Sequence, residues 1–307
     1  MIIKNIEILN ANNLNKKIIY IKLFLIKFFG LILRIINHKY YYNICKIITF
    51  YNTKELVKIK KNGCFFIFKL NDPYYSRLIS NYYYYEIEIS NFIKFIKGYD
   101  FNFYDLGANY GYWSIIFSNL KECKYCCAVE PLRNNFKFLQ INNKLNNNKF
   151  ATYKSLIGDG KNQKTKIYYD KNLPNNVGSS TTVKKINYEF VKQIKIDSLL
   201  IKKDRNLNII KIDIEGEEIN AIKQIIKLKL KNYILIYECH GKDKDHNVSR
   251  FLLNNNFKVF DFSISGNIKQ IDDISLLNKI KSKSNKGYNF IALNLNNILN
   301  DRIINLI

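Results

Sequence analysis

The sequence predicts an α/β fold: a doubly wound, Rossmann-like sheet, mostly parallel with an antiparallel C-terminal strand, preceded by an N-terminal helical and hairpin extension. Three observations predict it. The stretch 101–111, FNFYDLGANYG, runs from an apolar strand through a small-residue turn into a helix whose Trp113, Ile116, Phe117 and Leu120 form one apolar stripe. Cys126-Cys127-Ala128-Val129 then reads as a second buried strand, ending in Glu130 and Pro131, at the spacing of a βαβ unit of about 30 residues. Downstream, 208–213 and 233–237 are further apolar runs with acidic ends, and each is followed by a helical pattern.

Before that core, residues 1–80 form a basic extension and residues 81–307 the main domain. Residues 1–60 carry eleven Lys or Arg against two acidic residues. The apolar stretch Ile18 to Ile36 is interrupted by Lys22, Lys27 and Arg34, whereas a membrane span needs about 20 mostly uncharged residues. An amphipathic helix is expected instead, in one of two forms: packed on the domain, or lying on an anionic membrane surface. Alternation around Val57, Ile59, Phe66 and Phe68, with Gly63 at the turn, predicts a hairpin over 54–70. Tyr82 to Tyr85 open a helix through Glu86, Ile89, Phe92 and Ile96, and two of the four tyrosines should face the core.

At 307 residues with 47% hydrophobic composition the chain is folded, and one α/β domain with an extension accounts for its length. A formal charge of +24 would attract nucleic acid or anionic lipid if it were clustered. The lysines are dispersed, however, and Lys, Asn and Ile are abundant throughout, as A/T-rich coding would produce. Six cysteines form no regular framework, so a reducing, cytoplasmic location is expected, peripheral to a membrane surface if residues 18–36 lie on one. Cys123-x-x-Cys126 lacks a second ligand pair and reads as strand packing, and no metal site is assigned.

The turn decides the ligand. A dinucleotide pyrophosphate needs Gly-x-Gly-x-x-Gly at the helix start, and this turn lacks the triplet. Asp105 would also repel a phosphate. A cofactor with a cationic end suits the turn better, and S-adenosylmethionine carries a sulfonium and an α-amino group. Asp105 with Gly107, Ala108, Asn109, Gly111 and Tyr112 is expected to hold the methionine part. Glu130, beside Pro131, stands where an acid accepts from ribose hydroxyls.

These residues resemble a known family. Asp105 to Tyr112, then Ala128-Val129-Glu130-Pro131, then Leu139-Gln140-Ile141-Asn142 with Leu145-Asn146, and 210–218, IKIDIEGEE, look like the successive motifs of FkbM-type methyltransferases. The resemblance covers about residues 85–294. It implies a class I methyltransferase sheet, S-adenosylmethionine as donor, and a hydroxyl acceptor, often on a sugar or glycosylated product. A third strand over 151–157 closes with Gly158-Asp159, and an acid so placed in that fold commonly meets the adenine amino group. The resemblance also implies an insertion near the site over 160–195, where Gly178 and Ser179 could line it, with a plain surface hairpin as the alternative.

For catalysis, Asp213 falls at a strand C-terminus, where open α/β sheets bind ligands, and the next strand delivers Glu238-Cys239-His240. A neutral His240 could take the proton from an acceptor hydroxyl, or could be a structural histidine bonded to Glu238. Asp213, Glu215 and Glu238 orient hydroxyls, cap a helix or hold Mg²⁺. RNA is the alternative acceptor, although Lys211 and Asp213 supply only two members of the Lys-Asp-Lys-Glu set common in ribose methylation. A non-catalytic binding module on the same fold is the reading from a different class.

Overall fold

The computed structural model describes residues 5–32, 38–52, 54–160, 164–169, 177–178, 187–200, 206–214, 216–264, 267–282 and 287–294. The chain forms two compact units: Met1–Tyr85 with Ile141–Asn147, and Glu86–Gln140 with Asn148–Ile307.

The first unit holds β1 (Ile6–Leu9), α1 (Asn13–Ile32), α2 (His38–Thr49), β2 (Leu56–Lys61) and β3 (Cys64–Lys69). The expected hairpin is β2–β3, paired antiparallel from Leu56↔Lys69 to Lys61↔Cys64. Its turn is Asn62-Gly63 with φ of 51° and 79°, the positive pair that matches strand twist in a two-residue hairpin. β1 adds a third strand on β2, which the sequence reading did not anticipate. α1 buries Ile19, Leu23, Ile26 and Gly30, and the Tyr41 hydroxyl on α2 donates to the Ile26 carbonyl at 3.1 Å.

From Glu86 on, α3 (Ile87–Phe95), β4 (Phe101–Leu106), α4 (Tyr112–Ser118), β5 (Cys123–Val129) and α5 (Arg133–Leu145) follow in order, the residues of α5 from Ile141 on being assigned to the first unit. Of the tyrosines before α3, Tyr83 is buried and Tyr85 half-buried, as expected for two of the four. Next come β6 (Ala151–Tyr153), β7 (Leu156–Ile157), β8 (Thr165–Tyr169), β9 (Val177–Gly178), β10 (Asn187–Val191) and β11 (Gln193–Ile194). The chain closes with β12 (Leu207–Ile212), α6 (Glu218–Lys227), β13 (Tyr233–His240), α7 (Asn247–Asn254), β14 (Phe257–Ile264), β15 (Asn267–Ile271), α8 (Ile274–Ile280) and β16 (Gly287–Asn294).

Eight of these strands form one sheet in the order β15-β14-β16-β13-β12-β4-β5-β6. β13, β12, β4, β5 and β6 are mutually parallel, and β16 inserts antiparallel between β13 and β14. The expected antiparallel C-terminal strand is therefore β16, and β15 adds a second antiparallel strand at the edge. One expectation fails. The third strand does not run over 151–157: β6 stops at Tyr153, and β7 leaves the sheet to pair with β11, with Leu156 N–H on the Lys192 carbonyl and Gly158 N–H on the Ile194 carbonyl. The backbone of 151–157 divides its hydrogen bonds between two partners, β5 for Ala151–Tyr153 and β11 for Leu156–Ile157.

Alternation along the strands separates two faces of the sheet. Tyr104 and Leu106, Ile210 and Ile212, and Leu235 and Tyr237 pack in one core with Ile222, Ile225 and Leu252. Asp105, Lys211 and Glu238 have the opposite parity. They share the other face on three neighbouring strands.

Candidate active site

The residues that carry chemistry collect at the C-terminal edge of β4, β5, β12 and β13. β4 is buried along its whole length, and its register sets Asp105 beside Ala128 on β5 and beside Lys211 on β12. At its end the Gly107 and Ala108 amides both donate to the Val129 carbonyl at 2.9 Å, which folds the turn over the tip of β5. Gly107 has φ +85°, and a Cβ there would lie 1.9 Å from the Asp213 carbonyl oxygen. Gly111 has φ +84°, and its Cβ would lie 2.4 Å from Leu139 Cδ1. In the fold these two glycines admit the chain after β12 and a side chain of α5.

Asp105 and Glu130 sit on adjacent strand ends, as expected, and both are almost wholly buried. The Ser114 hydroxyl donates to Asp105 Oδ2 at 2.6 Å, while Asp105 Oδ1 has no hydrogen-bond partner among the described residues. Burial raises the Asp105 carboxyl above its ordinary range, against the pull of Lys211. Glu130 is better satisfied: Oε2 accepts from Asn109 N–H at 2.9 Å, Oε1 from Leu132 N–H at 3.0 Å, and the Asn135 side chain bonds it too. A carboxylate has about four acceptor positions, so about one remains. Gripping both hydroxyls of a ribose requires one present donor to give way. Burial pushes Glu130 up to about 7.

Between the two acids and β13 lies a buried lysine. Lys211 Nζ bonds Asp213 Oδ2 at 2.9 Å. Burial alone would lower the ammonium, but Asp213, Asp105 and Glu86 together hold it above its ordinary value. Lys211 and Asp213 thus face one side, and Glu215 lies outside the described residues. Glu86 was not singled out from sequence, where it reads as the first turn of a helix. It sits before α3 in a left-handed conformation, Trp113 Nε1–H donates to its Oε2, and burial pushes it up to about 7. The available signal was an acid immediately ahead of an apolar helix that leads straight into the organising strand. Three carboxylates therefore confront one lysine.

Glu238 and His240 end β13 on the face shared with Asp105. The Glu238 carboxylate lies over Gly287 of β16, where a Cβ would stand 1.5 Å from Oε1. His240 is exposed, and its Nδ1 accepts from Lys242 N–H at 3.2 Å. That bond occupies the Nδ1 lone pair, so the neutral ring carries its proton on Nε2 and presents a donor outward. Partial desolvation of the ring, with Lys242 and Lys281 nearby, keeps His240 below its ordinary value and favours the neutral form. Asp159, expected at the tip of the third strand, is exposed and follows β7 instead, because the strand divides at Tyr153. Pro131 is half-buried beside Glu130. Gly178 pairs with Tyr168 in the β8–β9 ladder, away from the main sheet's ladder, and Ser179 lies outside the described residues. No group of three His, Cys, Asp or Glu side chains among the described residues could hold a metal ion.

A parallel sheet with an antiparallel strand inserted between its last two partners, and acids at the ends of its first two central strands, defines a class I methyltransferase. Residues 105–259 match the family model described as the methyltransferase FkbM domain, and the chain belongs to that family. No curated protein sequence matches it. Among solved structures, it is similar to precorrin-6y C5,15-methyltransferase from Geobacter metallireducens at 13% identity and a TM-score of 0.42, covering 68% of this chain and 87% of that one. Methyltransferase FkbM from Methylobacillus flagellatus gives 14% identity and a TM-score of 0.38, covering 62% and 43%. TYW2 from M. jannaschii, solved with AdoMet, gives 10% and 0.37, covering 77% and 84%.

Proposed function

We propose that this methyltransferase uses S-adenosylmethionine to methylate a hydroxyl oxygen on a sugar, glycan or similar small acceptor. The observation that carries the donor is the buried acidic cluster at the strand edge, with one oxygen of Asp105 left without a donor. An unpaired buried carboxylate oxygen is costly, and an α-amino group would satisfy it. Three carboxylates against one lysine favour a cationic guest. When bound, S-adenosylmethionine supplies an electrophilic methyl carbon.

The protein's part is alignment and a destination for the acceptor's proton. Glu130 orients the nucleoside end and Asp105 the amino acid end. On the acceptor side, His240 in its present hydrogen bonding donates from Nε2 and so orients a hydroxyl rather than deprotonating it. Asp213 and Glu238 are the carboxylates at that edge that can accept the proton as the new C–O bond forms and the carbon–sulfur bond breaks. In this reading His240, Asp213 and Glu238 all act on the acceptor.

Incubating the purified chain with methyl-labelled donor and separate panels of sugars, glycoproteins and RNA tests the proposal. Label transfer to a hydroxyl of the first two classes supports it. Transfer to RNA alone, or to nitrogen, would replace the acceptor. His240→Gln, which retains a donor, should keep more activity than His240→Ala. Equal loss in both would remove the orienting role.

A further inference from the structure

The first unit carries an apolar surface that its own core leaves uncovered. α1 packs inward through Ile19, Leu23, Ile26 and Gly30. At 100° per residue those positions centre on one side of the helix, and Leu14, Ile18, Ile21 and Phe28 centre on the opposite side. All four are exposed, Leu14 at 70% and Ile21 at 61%. Phe24 and Leu31, also exposed, widen that stripe, and Phe24 stacks on Phe28 with ring centroids 6.4 Å apart. A helix of a water-soluble domain normally has one apolar side.

A second patch lies beside the first. At the end of α2, Ile47, Phe50 and Tyr51 are exposed at 75%, 63% and 85%. Lys22 on α1 donates to Asn52 Oδ1 at 2.7 Å, which ties this tip to the middle of α1. Of the large apolar side chains exposed among the described residues, those of α1 and the α2 tip are the main concentration.

Charge selects the occupant. Between Ile8 and Lys54 the sequence has eight basic residues, Lys16, Lys17, Lys22, Lys27, Arg34, Lys39, Lys46 and Lys54, and no acidic one. A second copy of the chain would bring like charge against like. An apolar stripe bordered by lysines fits an anionic bilayer, whose interface accepts the apolar side chains while its headgroups neutralise the ammonium groups. Among the described residues no helix is long and apolar enough to cross a membrane. We infer that α1 and the α2 tip seat the enzyme on the surface of an anionic membrane. The inference is independent of the acceptor and of the cofactor assignment.

The test uses the full chain in sedimentation with phosphatidylcholine vesicles, with and without phosphatidylglycerol, alongside the triple variant I18E/I21E/F28E. Those side chains are exposed, so the variant's circular dichroism and melting should match the parent. Binding to the anionic vesicles that falls about tenfold or more in the variant, and weakens with added salt, is the expected result. Equal pelleting by neutral vesicles, no binding to either, or a solution dimer that the triple variant dissolves would overturn it. If the triple variant misfolds, the single substitution Ile21→Glu in the parent supplies the same comparison.

Discussion

Glu130 shows how one buried side chain links the fold to its chemistry. Its three hydrogen bonds come from the glycine turn, from the residue after Pro131 and from the first turns of α5, so it shapes the edge of the sheet before any ligand arrives. Burial nevertheless holds it near 7, so at that pH a sizeable fraction is protonated. Only the ionised form accepts from ribose hydroxyls on both oxygens. Donor affinity should therefore rise as pH climbs from about 6 to about 8, the window on either side of that pKa. Calorimetry across that range checks it, and affinity that falls with pH would contradict the assignment. Gly107 carries a different constraint. Gly107→Ala places a methyl group against the Asp213 carbonyl at a positive φ, and should cost at least about 1–3 kcal/mol in urea denaturation. Glu86, by contrast, offered in sequence only the weak signal of an acid ahead of an apolar helix. Its importance comes from desolvation and from Trp113 and Lys211, none of which is near it in the chain.

At the scale of elements, the asparagines of the third family motif acquire a structural role. Asn142 Oδ1 accepts from Ile67 N–H at 2.7 Å and its Nδ2 donates to the Ile67 carbonyl at 3.0 Å. Asn146 treats Phe65 the same way, at 3.0 and 2.7 Å. Four residues of helix rise about 6 Å and two residues of strand about 6.6 Å, so side chains at i and i+4 match alternate backbone positions of β3. The pair closes an edge strand that would otherwise expose its ladder groups. Asn142→Ala leaves two backbone groups of buried Ile67 unmet and should destabilise by about 1–3 kcal/mol, with faster amide exchange at Ile67. Unchanged exchange would show that water replaces the clamp. The hairpin and the β4–β5 unit were legible because their signals are local: alternation about a glycine turn, a buried run, an acid at its end. The division of β6 from β7 was not, since nothing in 151–157 reveals that Lys192 and Ile194 compete for its backbone.

Across the whole molecule, the strand order and the acidic edge explain why the sequence reading reached the family. Asp105, Glu130, Asp213, Glu238 and His240 all sit at strand ends, positions that pattern and parity alone can locate. Asp159 follows β7 rather than the main-sheet strand β6, because that strand boundary is set by distant pairing. The net charge of +24 was read as dispersed, and for most of the chain it is. Its segregation from acidic residues over 8–54 gained meaning only when α1 proved to have two apolar sides. The central claim is that the edge between β4 and β5 holds a sulfonium nucleoside. Titrating S-adenosylmethionine calorimetrically into the parent chain and into Glu130→Ala tests it most directly. The account predicts one site per chain, weakened about tenfold or more by the substitution with the fold retained. Identical binding by both proteins, or none by a folded parent, would contradict it.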